Sequence, residues 1–335
     1  MEDFMSSLEL KTKTIIVTGG AGFIGSCVVR TLNDRGYNNI VIVDNIASTE
    51  KWKNLRNKKY LTYFHKDEFL PALLEETFDG IGAVIHLGAC SSTTETDFDY
   101  LWDNNVEYTK ELWRYCAEYE LPFIYASSAA TYGNGEDGFD DRMDIDILRP
   151  LNGYGYSKQV FDQWTKRQTE KPPKYAGLKF FNVYGPNEYC KGSMASMVYH
   201  GFRQIKESGE IRLFKSGRPD YRDGGQLRDF VYVKDVCDVI LFFLENTAPN
   251  GIYNVGTGRA QSFEELAEAV FLALDLRPNI RYIDMPENLK EKYQYYTKAE
   301  IGALREVGYE KPFSDVKQGV FDYVVNHLSR NYEVY

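Results

Sequence analysis

Cysteine and histidine are scarce. The five cysteines at 27, 90, 116, 190 and 237 never form a Cys-x-x-Cys pair, and the four histidines show no metal-ligand spacing. An odd, scattered set of thiols supplies no disulfide framework, so reduced cysteines and no metal are expected. Long hydrophobic runs are missing too. No apolar stretch approaches the roughly 18 residues that cross a bilayer, and the opening Met1-Glu2-Asp3-Phe4 carries acid where a secretory leader carries base. A soluble, cytoplasmic protein with no membrane partner is expected. Basic charge is in deficit, with 39 lysines and arginines against 49 acidic residues and a formal net charge of -10. Without a cationic run to track a phosphate backbone, nucleic acid is not an expected partner. There is no low-complexity tract, internal repeat or Gly/Ser-rich linker to separate folded units.

What is present is an ordinary globular balance, 43% hydrophobic and 26% charged over 335 residues, enough for about two domains with a sizeable core. Apolar, β-branched runs recur at Thr14 to Val17, Ile40 to Val43, Ala83 to Leu87, Phe123 to Ala126 and Gly177 to Phe181, separated mostly by helix-compatible segments. Ile24 to Leu32 has helical spacing. This alternation predicts an α/β protein: a Rossmann-type doubly wound parallel sheet, covered on both faces. From about residue 182 the rhythm breaks into short loops around Pro186, Gly192, Pro219 and Gly224-Gly225, and helical patterning returns at Phe263 to Leu274. A smaller C-terminal α/β lobe is expected there, packed closely on the first with a cleft between. His86 lies in an apolar run, where a satisfied core histidine is expected.

Gly19-Gly20-Ala21-Gly22-Phe23-Ile24-Gly25 follows the first strand and opens the first helix. Glycine lets backbone approach a diphosphate closely, and a helix N-terminus offers unpaired N–H groups and partial positive charge. Asp44, about 20 residues beyond Gly25 at the end of the second strand, stands where the ribose hydroxyls of a dinucleotide fall. Its carboxylate favours a free ribose diol, whereas Lys51, Lys53 and Lys66 could neutralise a 2′-phosphate. The two signals conflict.

Tyrosine and lysine four apart occur twice, as Tyr154/Lys158 and Tyr175/Lys179. The first pair lies in a helical pattern, where residues i and i+4 share a face. The second leads into a strand, where four residues span about 13 Å, so it is set aside. A free phenol with a pKa near 10 is a poor base, and a nearby ammonium favours phenolate. Tyr154 is thus a candidate general base. Ser127 and Ser128 follow the fourth strand at the carboxyl edge of the sheet, and a serine there can orient a substrate oxygen.

With the glycine turn, Ser-Ser-Ala-Ala-Thr-Tyr-Gly at 127 to 133 and Tyr-Gly-Tyr-Ser-Lys at 154 to 158, the chain resembles the extended short-chain dehydrogenases/reductases. The resemblance is to their nucleotide-sugar epimerase and dehydratase group and spans nearly the whole length. Ala-Cys-Ser-Ser-Thr-Thr-Glu at 89 to 95 and Lys-Gly-Ser-Met-Ala-Ser at 191 to 196 are similar to the branch that epimerises ADP-heptose. That resemblance implies an isomerase acting at C6 of ADP-heptose by transient oxidation, supplying heptose for the lipopolysaccharide inner core. It implies Ser128, Tyr154 and Lys158 as the catalytic trio and Lys191 as a second acid/base. It implies tightly bound NADP, with Lys51 and Lys66 on the 2′-phosphate side, and Asp44 keeps NAD open as the alternative. The cofactor is expected against Gly19, Gly22, Phe23, Ile24, Gly25, Asp44, Asn45, Lys51, Lys66, Leu87, Gly88, Ala89, Cys90, Ser91, Asn104 or Asn105, Tyr154, Lys158 and Val183. Substrate contacts are expected from Ser91, Ser128, Asn182, Lys191, Ser193, His200, Phe214, Lys215, Ser216, Gly217, Arg228 and Tyr293. Residues 12–181 would form the NADP-binding domain and 182–335 mainly the substrate lobe, with a crossing back between lobes left open. A homo-oligomer, a homopentamer by the same resemblance, is expected.

The chain departs from the family pattern at three places. Met1 to Lys11 precedes the first strand, Leu87 replaces an expected glutamate beside the cofactor, and Arg218 to Gln226 looks like an inserted loop. Ala129-Ala130, where a dehydratase carries Asp-Glu, argues against dehydration. The remaining alternatives are a UDP-sugar 4-epimerase of the same group, which needs no counterpart of Lys191, and a non-catalytic dinucleotide-binding scaffold, which needs no base at Tyr154.

Overall fold

The computed structural model describes residues 7–75, 78–287 and 293–335. Seven strands form one sheet: β1 Thr14–Thr18, β2 Ile40–Asp44, β3 Thr62–His65, β4 Ile81–His86, β5 Phe123–Ser128, β6 Tyr175–Phe180 and, far along the chain, β11 Gly251–Val255. Their spatial order is β11-β6-β5-β4-β1-β2-β3, and every pairing is parallel. The β-branched runs Ile15-Ile16-Val17 and Ile40-Val41-Ile42-Val43 are buried throughout, as strands covered on both faces must be. One layer holds α2 Phe23–Asp34 and α8 Val233–Glu245, and the other holds α3 Lys66–Leu74, α5 Tyr108–Glu118 and α6 Gly153–Arg167. The strand order reverses direction between β1 and β4, which leaves a crevice beyond their carboxyl ends.

Two of the seven strands lie outside the five apolar runs of the sequence. Thr62–His65 is an edge strand and only partly buried, so it lacks the dense apolar signature of the central strands. Gly251–Val255 carries Asn254, whose side chain is spent internally on Tyr132, Phe139 and Glu300. Beyond residue 182 the chain is also more regular than its glycines and prolines suggest. β7 Asn182–Tyr184 pairs with β10 Phe230–Tyr232, β8 Ile211–Phe214 with β13 Ile280–Ile283, and β9 Leu227–Arg228 with β12 Gln261–Ser262. The helices α7 Met197–Ser208 and α8 stand among these strands, and α9 Phe263–Ala273 closes its first turn with a Ser262/Glu265 capping box. Two more helices, α10 Gly302–Glu306 and α11 Val316–Asn326, complete the lobe.

His86 is the satisfied core histidine expected. Its ring nitrogens meet Thr18 Oγ1 at 2.6 Å and Thr109 Oγ1 at 2.9 Å, and burial pushes its pKa down to about 3. The Tyr175/Lys179 pair serves the interior: Tyr175 packs against Trp113, and Lys179 ion-pairs with Asp162 at 2.7 Å. Asp162 also accepts from Ser127 Oγ at 2.6 Å and Tyr125 Oη at 3.1 Å, and Lys179 donates to Thr131 Oγ1 at 2.8 Å. Breaking such a pair from one side leaves a bare buried charge. Asp162→Ala is therefore expected to lower unfolding free energy by about 3–5 kcal/mol in urea titrations, and adding Lys179→Met to recover most of that loss. A loss below about 1 kcal/mol for the single variant would show the charge to be compensated elsewhere.

Candidate active site

The glycine turn is shaped by contacts a side chain would obstruct. Gly19 has a positive φ of 68°, and a Cβ there would lie 2.7 Å from the Gly88 nitrogen; at Gly25 it would lie 2.1 Å from the Gly19 carbonyl oxygen. The turn therefore packs directly against the β4 exit loop and the start of α2. Gly22, the N-cap of α2, has no side chain to cap the first N–H groups of that helix. Asp44 Oδ2 accepts from Ala21 N at 2.9 Å, and its Oδ1 accepts from Asn45 N at 2.7 Å and Lys51 Nζ at 2.6 Å. The carboxylate read as a ribose partner thus already carries a lysine.

A cleft of about 530 Å³ runs along this turn. Its walls include Gly19, Gly22, Phe23, Ile24, Gly25, Asp44, Lys51, Leu87, Gly88, Ala89, Cys90, Ser91, Ser128, Tyr154, Lys158, Val183 and Lys191. An adjoining cavity of about 190 Å³ brings Asn45, Lys66 and Asn104 beside Asp44 and Lys51. Asn105 stands behind the wall: fully buried in a π-helical turn, it accepts from Cys90 N at 2.8 Å and donates to Ser157 Oγ at 3.0 Å. It braces the 88–91 loop against α6. The sequence reading omitted Asn54, which also lines the cleft and donates to the carbonyls of Ala21 and Asn187. Asn187, left-handed at φ 75° after Gly185-Pro186, could have been noticed as a turn residue.

Asn152 caps α6 by accepting from Gly155 N at 2.8 Å, and so fixes the first turn that carries Tyr154 and Lys158. Ser128 ends β5, and its Oγ accepts from Ala130 N at 3.1 Å. Burial pushes the Tyr154 phenol up, opposed by its hydrogen bond with Ser128. Burial brings the Lys158 ammonium down to about 8, opposed by Asp162. Lys158 Nζ donates to the Ala126 carbonyl at 2.9 Å on the strand beneath Tyr154. Lys191, in the same cleft, is also lowered by burial, opposed by Glu188.

The other expected substrate residues are divided. Gly217 and Tyr293 line a second cavity of about 390 Å³ with Arg218, Tyr221, Tyr295 and Tyr296. Arg228 is buried with its guanidinium over the Tyr293 and Phe263 rings, donating to the carbonyls of Leu227 and Gln294, and Phe214 meets Tyr293 edge-on. Lys215 pairs with Asp284, and Ser216 N donates to Asp223. Asn182 and Ser193 are exposed, and His200 is partly buried on α7 beside Tyr199.

A doubly wound parallel sheet with a glycine turn at its switch point, and with Ser128, Tyr154 and Lys158 at its carboxyl edge, has the architecture of the short-chain dehydrogenase type. Residues 15–256 match the NAD dependent epimerase/dehydratase family, and the chain belongs to it. An ADP-L-glycero-D-manno-heptose-6-epimerase of Fusobacterium nucleatum is 52% identical, over 94% of this chain and 98% of that protein. The crystal structure of the Helicobacter pylori ADP-L-glycero-D-manno-heptose-6-epimerase superposes with a TM-score of 0.79 at 27% identity, covering 97% of this chain and 98% of that one. A Thermus thermophilus UDP-glucose 4-epimerase in complex with NAD superposes with a TM-score of 0.75 at 26% identity, covering 93% and 97%.

Gly25→Ala is expected to displace the turn and cut cofactor retention, read as the nicotinamide dinucleotide released by acid from purified protein. Retention equal to wild type would mean that the turn relaxes around the added methyl.

Proposed function

We propose that this protein inverts C6 of ADP-glycero-manno-heptose, interconverting the D-glycero and L-glycero forms. The observation that carries this reading is Lys191 lining the same cleft as Ser128, Tyr154 and Lys158, a second proton carrier beyond the trio. When the oxygen is presented from opposite sides of the cleft in the two half-reactions, one carrier on each side can serve it. The full-length similarity to proteins named for this reaction supports the choice of sugar.

The glycine turn, the uncapped start of α2 and the Asp44/Lys51 pair suit a nicotinamide dinucleotide, which when bound supplies reversible hydride exchange at C6. The chain handles the protons. Tyr154 Oη takes the proton of the C6 hydroxyl as the transient ketone forms, and Ser128, in the same cleft, orients the substrate oxygen. Lys158, anchored on the Ala126 carbonyl, holds positive charge beneath the site and favours phenolate. After rotation about C5–C6, Lys191 gives a proton to the oxygen presented the other way. In this reading Arg228 holds the substrate diphosphate, a role suited to a buried guanidinium, with Asn182, Ser193, His200, Phe214 to Gly217 and Tyr293 around the sugar and nucleotide. The dinucleotide is NADP, because Lys51 neutralises Asp44 and Lys66 lines the same cavity. The same reading carries a cytoplasmic homo-oligomer, with residues 12–181 mainly holding cofactor and 182–335 mainly substrate.

Proton NMR of ADP-D-glycero-D-manno-heptose with purified protein and no added cofactor is expected to show the L-glycero epimer. Tyr154→Phe and Lys191→Ala are expected to slow it by at least about 100-fold and 10-fold. No conversion, with or without added NADP or NAD, would move the substrate to another nucleotide sugar, and full-rate turnover by Lys191→Ala would remove the second proton carrier. Lys51→Ala is expected to weaken NADP binding about tenfold while leaving NAD binding within about twofold; equal weakening of both would overturn the 2′-phosphate assignment.

A further inference from the structure

Lys191 reaches the cleft from a loop, and loops hold side chains less firmly than strands or helices do. One buried acid closes this loop on itself. Glu188, 1% exposed, accepts through its carboxylate from Ser196 N and Ser196 Oγ, both at 2.6 Å, and from Gly185 N at 3.4 Å. Residue 188 is thereby tied to residue 196. Lys191 stands between them where two 3-10 turns meet, its N–H donating to the Glu188 carbonyl at 3.0 Å and its carbonyl accepting from Met194 N at 3.0 Å. Ser196 also caps α7, a helix of 12 residues whose N-terminal dipole favours negative charge beside it. Donors converge on Glu188, an arrangement suited to its ionised form.

We propose that Glu188 is a positioning residue for Lys191, fixing the loop that carries it and holding a carboxylate charge within that loop. The proposal rests on the reading of Lys191 as a proton carrier. Burial lowers the Lys191 amine and raises the Glu188 carboxyl; the charge of each opposes the burial of the other, and Ser196 opposes it further at Glu188. The other titratable groups facing Glu188 are Tyr189 in the loop, Tyr323 on α11 and Cys27 on α2. Burial raises all three, so they stay neutral at working pH and Lys191 is left as the charged partner.

Two measurements test this on the holoenzyme. In the first, kcat, KM and thermal midpoint are compared for wild type, Glu188→Gln, Glu188→Ala, Lys191→Ala and the Glu188→Gln/Lys191→Ala double variant. Glu188→Gln keeps an acceptor for Ser196 but loses the charge; it is expected to lower kcat about tenfold with KM nearly unchanged, and Glu188→Ala to lower it further. Added to Lys191→Ala, the same change is expected to cost less than about twofold. Equal losses in both backgrounds, with a lowered thermal midpoint, would make Glu188 a purely structural residue and overturn the proposal while leaving the substrate reading intact. The second measurement needs no turnover. In protein carrying 13C at lysine Cε, the signal assigned by its absence in Lys191→Ala is expected to titrate at lower pH in Glu188→Gln than in wild type, because removing a negative charge favours the neutral amine. An unmoved titration overturns the proposal whatever the substrate.

Discussion

A fully buried carboxylate is costly unless the chain surrounds it with donors, and Asp162 has them on two strands, Tyr125 and Ser127 on β5 and Lys179 on β6. Its own helix α6 bears Tyr154 and Lys158, Ser127 precedes Ser128 on β5, and Lys179 lies on β6. Asp162, through Lys179 on β6 and through Ser127 and Tyr125 on β5, therefore ties α6 to the two strands that carry the rest of the site. Its negative charge also reaches Lys158, opposing the burial that lowers that amine. A structural ion pair and the acid–base set above it share one electrostatic environment.

The cofactor side of the cleft follows a different logic, in which small residues permit contacts that larger ones would prevent. Gly19 and Gly25 bring the turn against Gly88 and against itself, and Asn54 stitches Ala21 to Asn187. The Asp44/Lys51 pair sits at the rim of that surface. The sequence poses these two residues as opposed signals about the ribose, and the structure joins them in one contact.

Much of this architecture was legible in the residues. β-branched runs report strands buried on both faces, and the glycine turn and the Tyr154/Lys158 spacing report local backbone geometry, which sequence encodes directly. What escaped depends on partners distant in the chain. Thr62–His65 is a strand because β2 lies beside it, and Gly251–Val255 because β6 does. Asn105 and Asn104 are neighbours in sequence, yet only packing decides that one braces the wall and the other faces the cavity. Glu188 carries no sequence signal of its own, and only the fold buries it beside Ser196.

The placement of β11 has a mechanical consequence. Because residues 251–255 hydrogen-bond to β6, the segment that returns from the C-terminal lobe is a structural strand of the sheet that also bears the glycine turn. The two halves of the cleft are thus joined by a backbone ladder as well as by side-chain packing. A fragment ending near residue 181 would leave β6 as a bare edge, open to pairing with other chains. Moving the segments on either side of this ladder as free bodies would tear main-chain hydrogen bonds, so adjustment to a ligand falls to loops such as the one that carries Lys191.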